Sequence, residues 1–371
     1  MYNVAVGHQA GTAMTTGIKN TSIGARTMQA TTVGQENVAL GYQAMYTNVD
    51  GSKCVAIGAN ALLAQEPASA LDMYNVAIGY NAGAAVTTGT VNTIIGGLAG
   101  DALTTGTRNT AVGAFALSTE DAHGNNTAFG YQALLTLNAG AEGYNVAVGV
   151  DAGRLMTTGV ANTIIGGLAG DAITTGGYNV ALGYDALGAN TIGNSNIAIG
   201  TGTMSTNVAA DRNVAIGTNA LQNMTSASTA DTYNTAVGYQ AGLSVSTGTA
   251  NTLIGGLAGD ALTTGHSNVA IGYAALSSED EHGGNVAIGK DALTVQNAGA
   301  HAYNVAVGHQ AGTAVTTGTF NTLIGGLAGD TITSGGKNVA VGYDTLSAID
   351  SGSRNTAMGY QALKTLNVGG I

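Results

Sequence analysis

A five-residue pattern runs through the whole chain: Asn, a β-branched residue, a small or apolar residue, an apolar residue, then Gly. It starts at Asn3, Asn20, Asn37, Asn75, Asn92, Asn109, Asn126, Asn145, Asn162, Asn179, Asn196, Asn213, Asn234, Asn251, Asn268, Asn285, Asn304, Asn321, Asn338 and Asn355, and once at Cys54. These 21 starts are 17 residues apart, except for two gaps of 21 (54 to 75 and 213 to 234) and two of 19 (126 to 145 and 285 to 304). Numbering each copy from its Asn, position 2 is always Val, Thr or Ile, and position 4 is Val, Ile, Leu, Phe or Met. Position 5 is Gly throughout, beginning with Gly7, Gly24, Gly41, Gly58, Gly79, Gly96, Gly113 and Gly130. An alternating β-branched and apolar run closed by Gly predicts a short strand and a turn, not a helix.

The rest of the copy is as regular. Position 8 is Ala in 18 copies and Thr in three, and position 9 is only Gly, Leu or Met. Position 10 is mixed and polar while position 12 is mostly apolar, which suggests a second strand or turn with one wet face. The later Thr-Thr-Gly supplies a glycine expected to take φ > 0 at a corner. Seventeen residues are too few for the helix pairs of α-solenoids. The predicted fold is an all-β parallel β-solenoid, a β-roll of 21 stacked rungs with about 17 residues each.

Stacking in register would turn the Asn residues into a ladder, each amide bonding the amides above and below. Cys54 reads as a tolerated small member of that column. Rungs about 4.8 Å apart would extend on the order of 100 Å. Positions 2 and 4 face opposite to position 3 on a strand, yet position 3 is also apolar: mostly Ala, with Ile94, Ile164, Leu253 and Leu323. Both faces are therefore expected to be buried, one inside the coil and one against another chain. Where position 3 is large, positions 6 and 9 are Gly, as at Gly97 and Gly100, so these sites are expected to share volume.

A Tyr precedes the Asn at Tyr2, Tyr74, Tyr144, Tyr233 and Tyr303. It divides one continuous repeat domain, 1–371, into blocks 1–73, 74–143, 144–232, 233–302 and 303–371. Every longer gap falls just before such a Tyr. Joining Ile371 to Met1 would set the next Asn 19 residues after Asn355, a spacing already in use, so the chain is expected to be a segment of a longer tandem fibre.

Composition narrows the function. Charged residues make up 8% of the chain against 44% hydrophobic, which excludes a disordered chain. The net charge of −11, without clustered Lys or Arg, excludes nucleic acid and anionic membranes as expected partners. No apolar run is long enough for a membrane helix, so membrane insertion is not expected.

The copies Asn75–Gly83 (NVAIGYNAG), Asn234–Gly242 (NTAVGYQAG) and Asn213–Leu221 (NVAIGTNAL) resemble the head repeats of trimeric autotransporter adhesins, which also occur in bacteriophage tail fibre proteins. The resemblance spans the chain, although the unit here is longer than the usual adhesin repeat. It implies a homotrimer, or a longer fibre, located outside the cell on a virion tail or cell surface. The expected function is the structural shaft of an attachment apparatus, a phage tail fibre or similar, that projects a host-recognition tip. Its partners would be other copies of itself and a cell-surface glycan or protein receptor. The alternatives are a bacterial surface adhesin head that itself binds matrix or glycan, and a self-assembling extracellular filament.

Chemistry is not expected. The stretch "GGLAGDALTTG" lacks the Lys-Ser/Thr of a phosphate loop. Asp101, Asp171, Asp260 and Asp330 recur too far apart to share an ion and read as solvated corners. Glu120, Asp121 and His123, and likewise Glu279, Asp280, Glu281 and His282, could ligate a metal but read as hydrated loops, and His8 and His309 as surface substitutions. No catalytic, cofactor or metal residue is therefore expected, and the chain is not expected to be an enzyme.

Overall fold

The computed structural model describes residues 2–226 and 229–365, an all-β parallel β-solenoid with no helix among them. The chain divides into two compact units, Met1–Asp185 and Ala186–Ile371, built alike. The first holds eleven three-residue strands, from Val4–Val6 to Val180–Leu182; the second holds ten, from Ile197–Ile199 to Thr356–Met358. Every one falls on positions 2 to 4 of a copy. Within each unit successive strands pair in parallel and in register. Val4 faces Thr21 and Ala5 faces Ser22, and the register survives a 21-residue gap, with Val214 facing Thr235. One copy is one coil.

Of the second strand or turn expected after the glycine, the described residues form the turn. Positions 6 to 11 are turns in which positions 7 and 9 hold left-handed backbone, as at Phe115 (φ 60°) and Leu117 (φ 53°). Left-handed residues cannot continue a strand. The coil-to-coil hydrogen bonds nevertheless persist through the turns: Phe115 N donates to Gly97 O at 3.1 Å and Leu117 N to Ala133 O at 3.0 Å. The backbone groups that a strand would have paired are thus still paired.

The strand's two faces are resolved by burial. Position 3 points into the coil, where Ala77, Ile94, Ala111 and their equivalents between the end coils are buried with positions 8, 9 and 12. Positions 2 and 4 point outward and stay half-buried or exposed. Large position-3 residues fill space left by glycines at position 9, and each uses two. A Cβ on Gly83 would meet Ile94 Cδ1 at 2.9 Å, and one on Gly100 would meet Ile94 Cγ2 at 3.4 Å. Leu323 lies between Gly312 and Gly329 in the same way. Position 6 takes no part in this sharing. Gly97 has nothing near its Cβ position, and Gly256 and Gly326 lie against the Tyr273 and Tyr343 rings of the following coil.

Glycine has two distinct duties. At position 5 the eight glycines from Gly7 to Gly130 have φ between +132° and +143°, a region closed to side chains. A Cβ on Gly113 would also lie 2.3 Å from Gly130 O. The glycine of Thr-Thr-Gly does not take the positive φ expected of it. It is required because a Cβ on Gly89 would strike Gly106 O of the next coil at 2.4 Å.

The long gaps fold back on the preceding coil. Gly51–Ser52 pairs in parallel with Leu71–Asp72, and Asp211 bridges Asp231 at the equivalent place. Lys53 reaches Asp72 at 2.6 Å and lies 5.4 Å from the Tyr74 ring; Arg212 pairs likewise with Asp231 beside Tyr233.

Candidate binding face and buried polar columns

The Asn column is buried in nearly every coil, and it is built differently from an amide-to-amide ladder. Each Oδ1 accepts the main-chain N–H of the next coil's Asn: Asn92 N to Asn75 Oδ1 at 2.9 Å, Asn109 N to Asn92 Oδ1 at 2.9 Å, Asn251 N to Asn234 Oδ1 at 3.0 Å. Each Nδ2 crosses its own coil to the carbonyl of position 15, as Asn92 does to Gly106 O at 2.8 Å and Asn251 to Gly265 O at 2.8 Å. Direct amide-to-amide bonds are the minority, for example Asn162 Nδ2 to Asn145 Oδ1 at 3.2 Å. The site therefore needs an acceptor and a donor on one short side chain, which Asn supplies.

That cross-coil staple changes before the longer gaps, where inserted residues displace the position-15 carbonyl. Asn126 Nδ2 turns to Gly124 O, Asn213 Nδ2 to Asp211 O, and Asn285 Nδ2 is buried without a partner. Cys54 accepts its place in the column through N–H to Asn37 Oδ1 at 3.0 Å, while Gln65 Oε1 receives the Asn75 amide at 3.1 Å. Burial pushes the Cys54 thiol up, away from a reactive thiolate.

Position 12 forms a second buried column that the sequence reading missed. Most coils place Met, Leu, Ile or Val there, but Thr31, Asn48, Gln65, Glu120, Asn190, Asn207, Glu279 and Gln296 are buried at the same position. The Asn members reach the backbone three residues on: Asn48 Oδ1 accepts Gly51 N at 3.0 Å, and Asn207 Oδ1 accepts Ala210 N at 3.0 Å. Glu120 and Glu279 do the same for His123 N and His282 N, at 3.0 and 3.2 Å. Neither Glu belongs to a hydrated loop; both are fully buried, and burial raises the pKa of Glu279. Their place at an apolar-periodic position was the available signal.

The four recurring Asp residues are half-buried, not freely solvated corners. Oδ1 of Asp101, Asp260 and Asp330 is enclosed without a partner, and desolvation raises all four carboxyls. Asp171 has Arg154 at 3.9 Å. His8 and His309 are exposed at position 6.

What the interior does not use is the outer face of the strands. It presents Val38 and Leu40, Phe129, Leu182, Ile216 and Ile254 among the exposed large apolar residues. Tyr80, Tyr184, Tyr239, Tyr273 and Tyr343 flank it at position 6, each at least half exposed. Neighbouring rings stack, as Tyr343 and Tyr360 do with centroids 5.8 Å apart. Large apolar faces on a folded chain mark interaction surfaces. No family model matches the chain, and no curated protein matches it.

Proposed function

We propose that the chain is a structural element, the shaft of an extracellular attachment fibre such as a phage tail fibre, assembled as a homotrimer through the outer strand face and carrying a host-recognition tip. The observation behind this reading is the apolar row at positions 2 and 4. It repeats in coil after coil and lies outside the coil's own core, where a lone water-exposed wall would carry polar residues. Stiffness would come from two sources already present in each unit, the register-locked strands and the Asn column.

A second reading draws on the exposed tyrosines. Rings of this kind also suit the apolar faces of sugars, so a surface adhesin whose flank itself binds matrix or glycan shares the same scaffold. Light scattering coupled to size exclusion tests the assembly: three chains per particle is expected, and a stable, soluble monomer at micromolar concentration would remove the interchain part of the proposal. A glycan array then separates the readings, because binding by the assembled chain alone favours the adhesin.

A further inference from the structure

Three of the chain's six histidines meet at one corner of the second unit. His266, His282 and His301 come from three successive coils. The His301 ring centroid lies 4.9 Å from that of His266 and 6.1 Å from that of His282. The middle coil follows His282 with two glycines, and Gly283 N donates to His301 Nδ1 at 3.0 Å. A Cβ on Gly283 would lie 1.8 Å from His266 O, and one on Gly284 would lie 2.8 Å from the Tyr303 ring.

Two carboxylates share the corner. Glu279, Asp280 and His282 each offer a donor atom, and the three atoms lie within 4.8 Å of one another. Nδ1 of His282 is enclosed, 3.5 Å from Glu279 Oε1, and has no hydrogen-bond partner. Glu279 is fully buried and bound to the His282 amide and Gln296 Nε2. Capping that amide does not explain these residues, since Asn does the same at positions 48, 190 and 207, ahead of Gly or Ala. A buried carboxylate facing an imidazole is a costlier way to make one hydrogen bond.

We propose that this corner is a binding site for a divalent first-row transition metal, with Glu279, Asp280 and His282 as ligands and His266 supplying the further imidazole, held in place by the His301 ring, whose Nδ1 already accepts the Gly283 N–H at 3.0 Å. Mixed imidazole and carboxylate donors suit Zn²⁺, Ni²⁺ or Cu²⁺, whereas Ca²⁺ and Mg²⁺ call for oxygen alone. In a tetrahedral shell with bonds of about 2.0–2.2 Å, donors stand roughly 3.4 Å apart. His282 Nδ1 and Glu279 Oε1, 3.5 Å apart, already stand at that spacing, and the other separations, at most 4.8 Å, need close by no more than about 1.4 Å, which rotation of the partly exposed Asp280 and His282 side chains allows. When His266 Nδ1 donates to Ser267 Oγ, 3.4 Å away, its Nε2 lone pair is left for a cation.

The first unit contains a control. Glu120, Asp121 and His123 repeat the three-residue arrangement, again within 4.8 Å, and His123 Nδ1 is again enclosed without a partner. Thr107 stands where the second unit has His266, and Glu142 where it has His301. Metals that favour nitrogen should therefore distinguish two corners that are otherwise copies.

Calorimetric titration of zinc chloride into the full chain tests this, with Co²⁺ visible absorption as a ligand-field readout. The expected result is one saturable high-affinity site per chain. It should be lost in His282→Ala, weakened about tenfold or more in His266→Ala or His301→Ala, and unchanged in His123→Ala. His266 and His301 are exposed, so their variants should keep the circular dichroism of the parent and remain informative if His282→Ala does not. The proposal is overturned if zinc uptake is not saturable, if neither exposed-histidine variant weakens it, or if His123→Ala removes the same site.

Discussion

Replacing Asn92 with Ala tests the Asn column where it is fully enclosed. Asn92 Nδ2 donates to Gly106 O at 2.8 Å and Oδ1 accepts Asn109 N at 2.9 Å, and all three residues are buried. Alanine would leave one buried carbonyl and one buried amide without their partners. Each orphaned buried group costs about 1–3 kcal/mol, so the change should cost about 2–6 kcal/mol. Asn3 makes the same two bonds, to Gly17 O at 2.8 Å and from Asn20 N at 2.9 Å, but it is only part-buried. Water can replace both there, and Asn3→Ala should cost about 1 kcal/mol or less. Because coils contact only their neighbours, the loss should be local. Amide hydrogen exchange read by mass spectrometry reports local opening directly. Peptides spanning 87–112 should lose protection in Asn92→Ala, while those beyond 145 keep theirs. Equal effects at Asn3 and Asn92, or a loss spread evenly over the chain, would refute the account of the column.

Other outcomes follow from the same packing. Gly113→Ala should cost more than about 2 kcal/mol in denaturant melts, since it combines forbidden backbone with a carbonyl clash. Ile94→Ala should cost about 2–5 kcal/mol, and adding Gly100→Leu should recover part of it, because coils with Ala at position 3 often carry Leu at position 9. Lys in place of Ile254 and Ile216 on the outer face should lower the particle mass in light scattering and leave circular dichroism unchanged. Stability should fall in thermal melts as pH rises from the ordinary carboxyl range towards neutrality. Desolvation raises the pKa of Asp101, Asp260, Asp330 and Glu279. The folded chain therefore holds these protons more tightly than the unfolded one, and the stability they contribute is full below the ordinary carboxyl range and lost as pH rises through the raised values. Glu36 and Asp344, held low by hydrogen bonds from Lys19 and Lys364, act oppositely, but only as pH falls into that ordinary range. Glu279→Gln should flatten the profile.

The period, the strand positions, the register and the Asn column were legible in the sequence because each depends on one residue type recurring at fixed spacing. Which strand face turns inward was not. A two-residue alternation reveals direction only when one face is polar, and here Ala or Ile at position 3 opposes Val and Ile at positions 2 and 4. The choice between a second strand and a turn was hidden for a similar reason: left-handed Leu, Met and Phe residues at positions 7 and 9 carry no composition signal, unlike glycine. The buried Glu120 and Glu279 were concealed by acidic neighbours that suggested a loop. The histidine corner depends on which coils stack and on how a 19-residue gap shifts His301, which no linear spacing displays.

A column that treats every coil alike carries a hazard of its own. Any Asn can receive any other's amide, so a growing stack has little means of rejecting a neighbour that belongs elsewhere in the chain. The paired glycines around Ile94, Ile164, Leu253 and Leu323 provide a check, much as wards in a lock admit one key: a bulky residue slipped beside Leu117 or Leu134 would find its pocket already occupied. The few breaks in uniformity are then what let a nearly repetitive text be read in only one order.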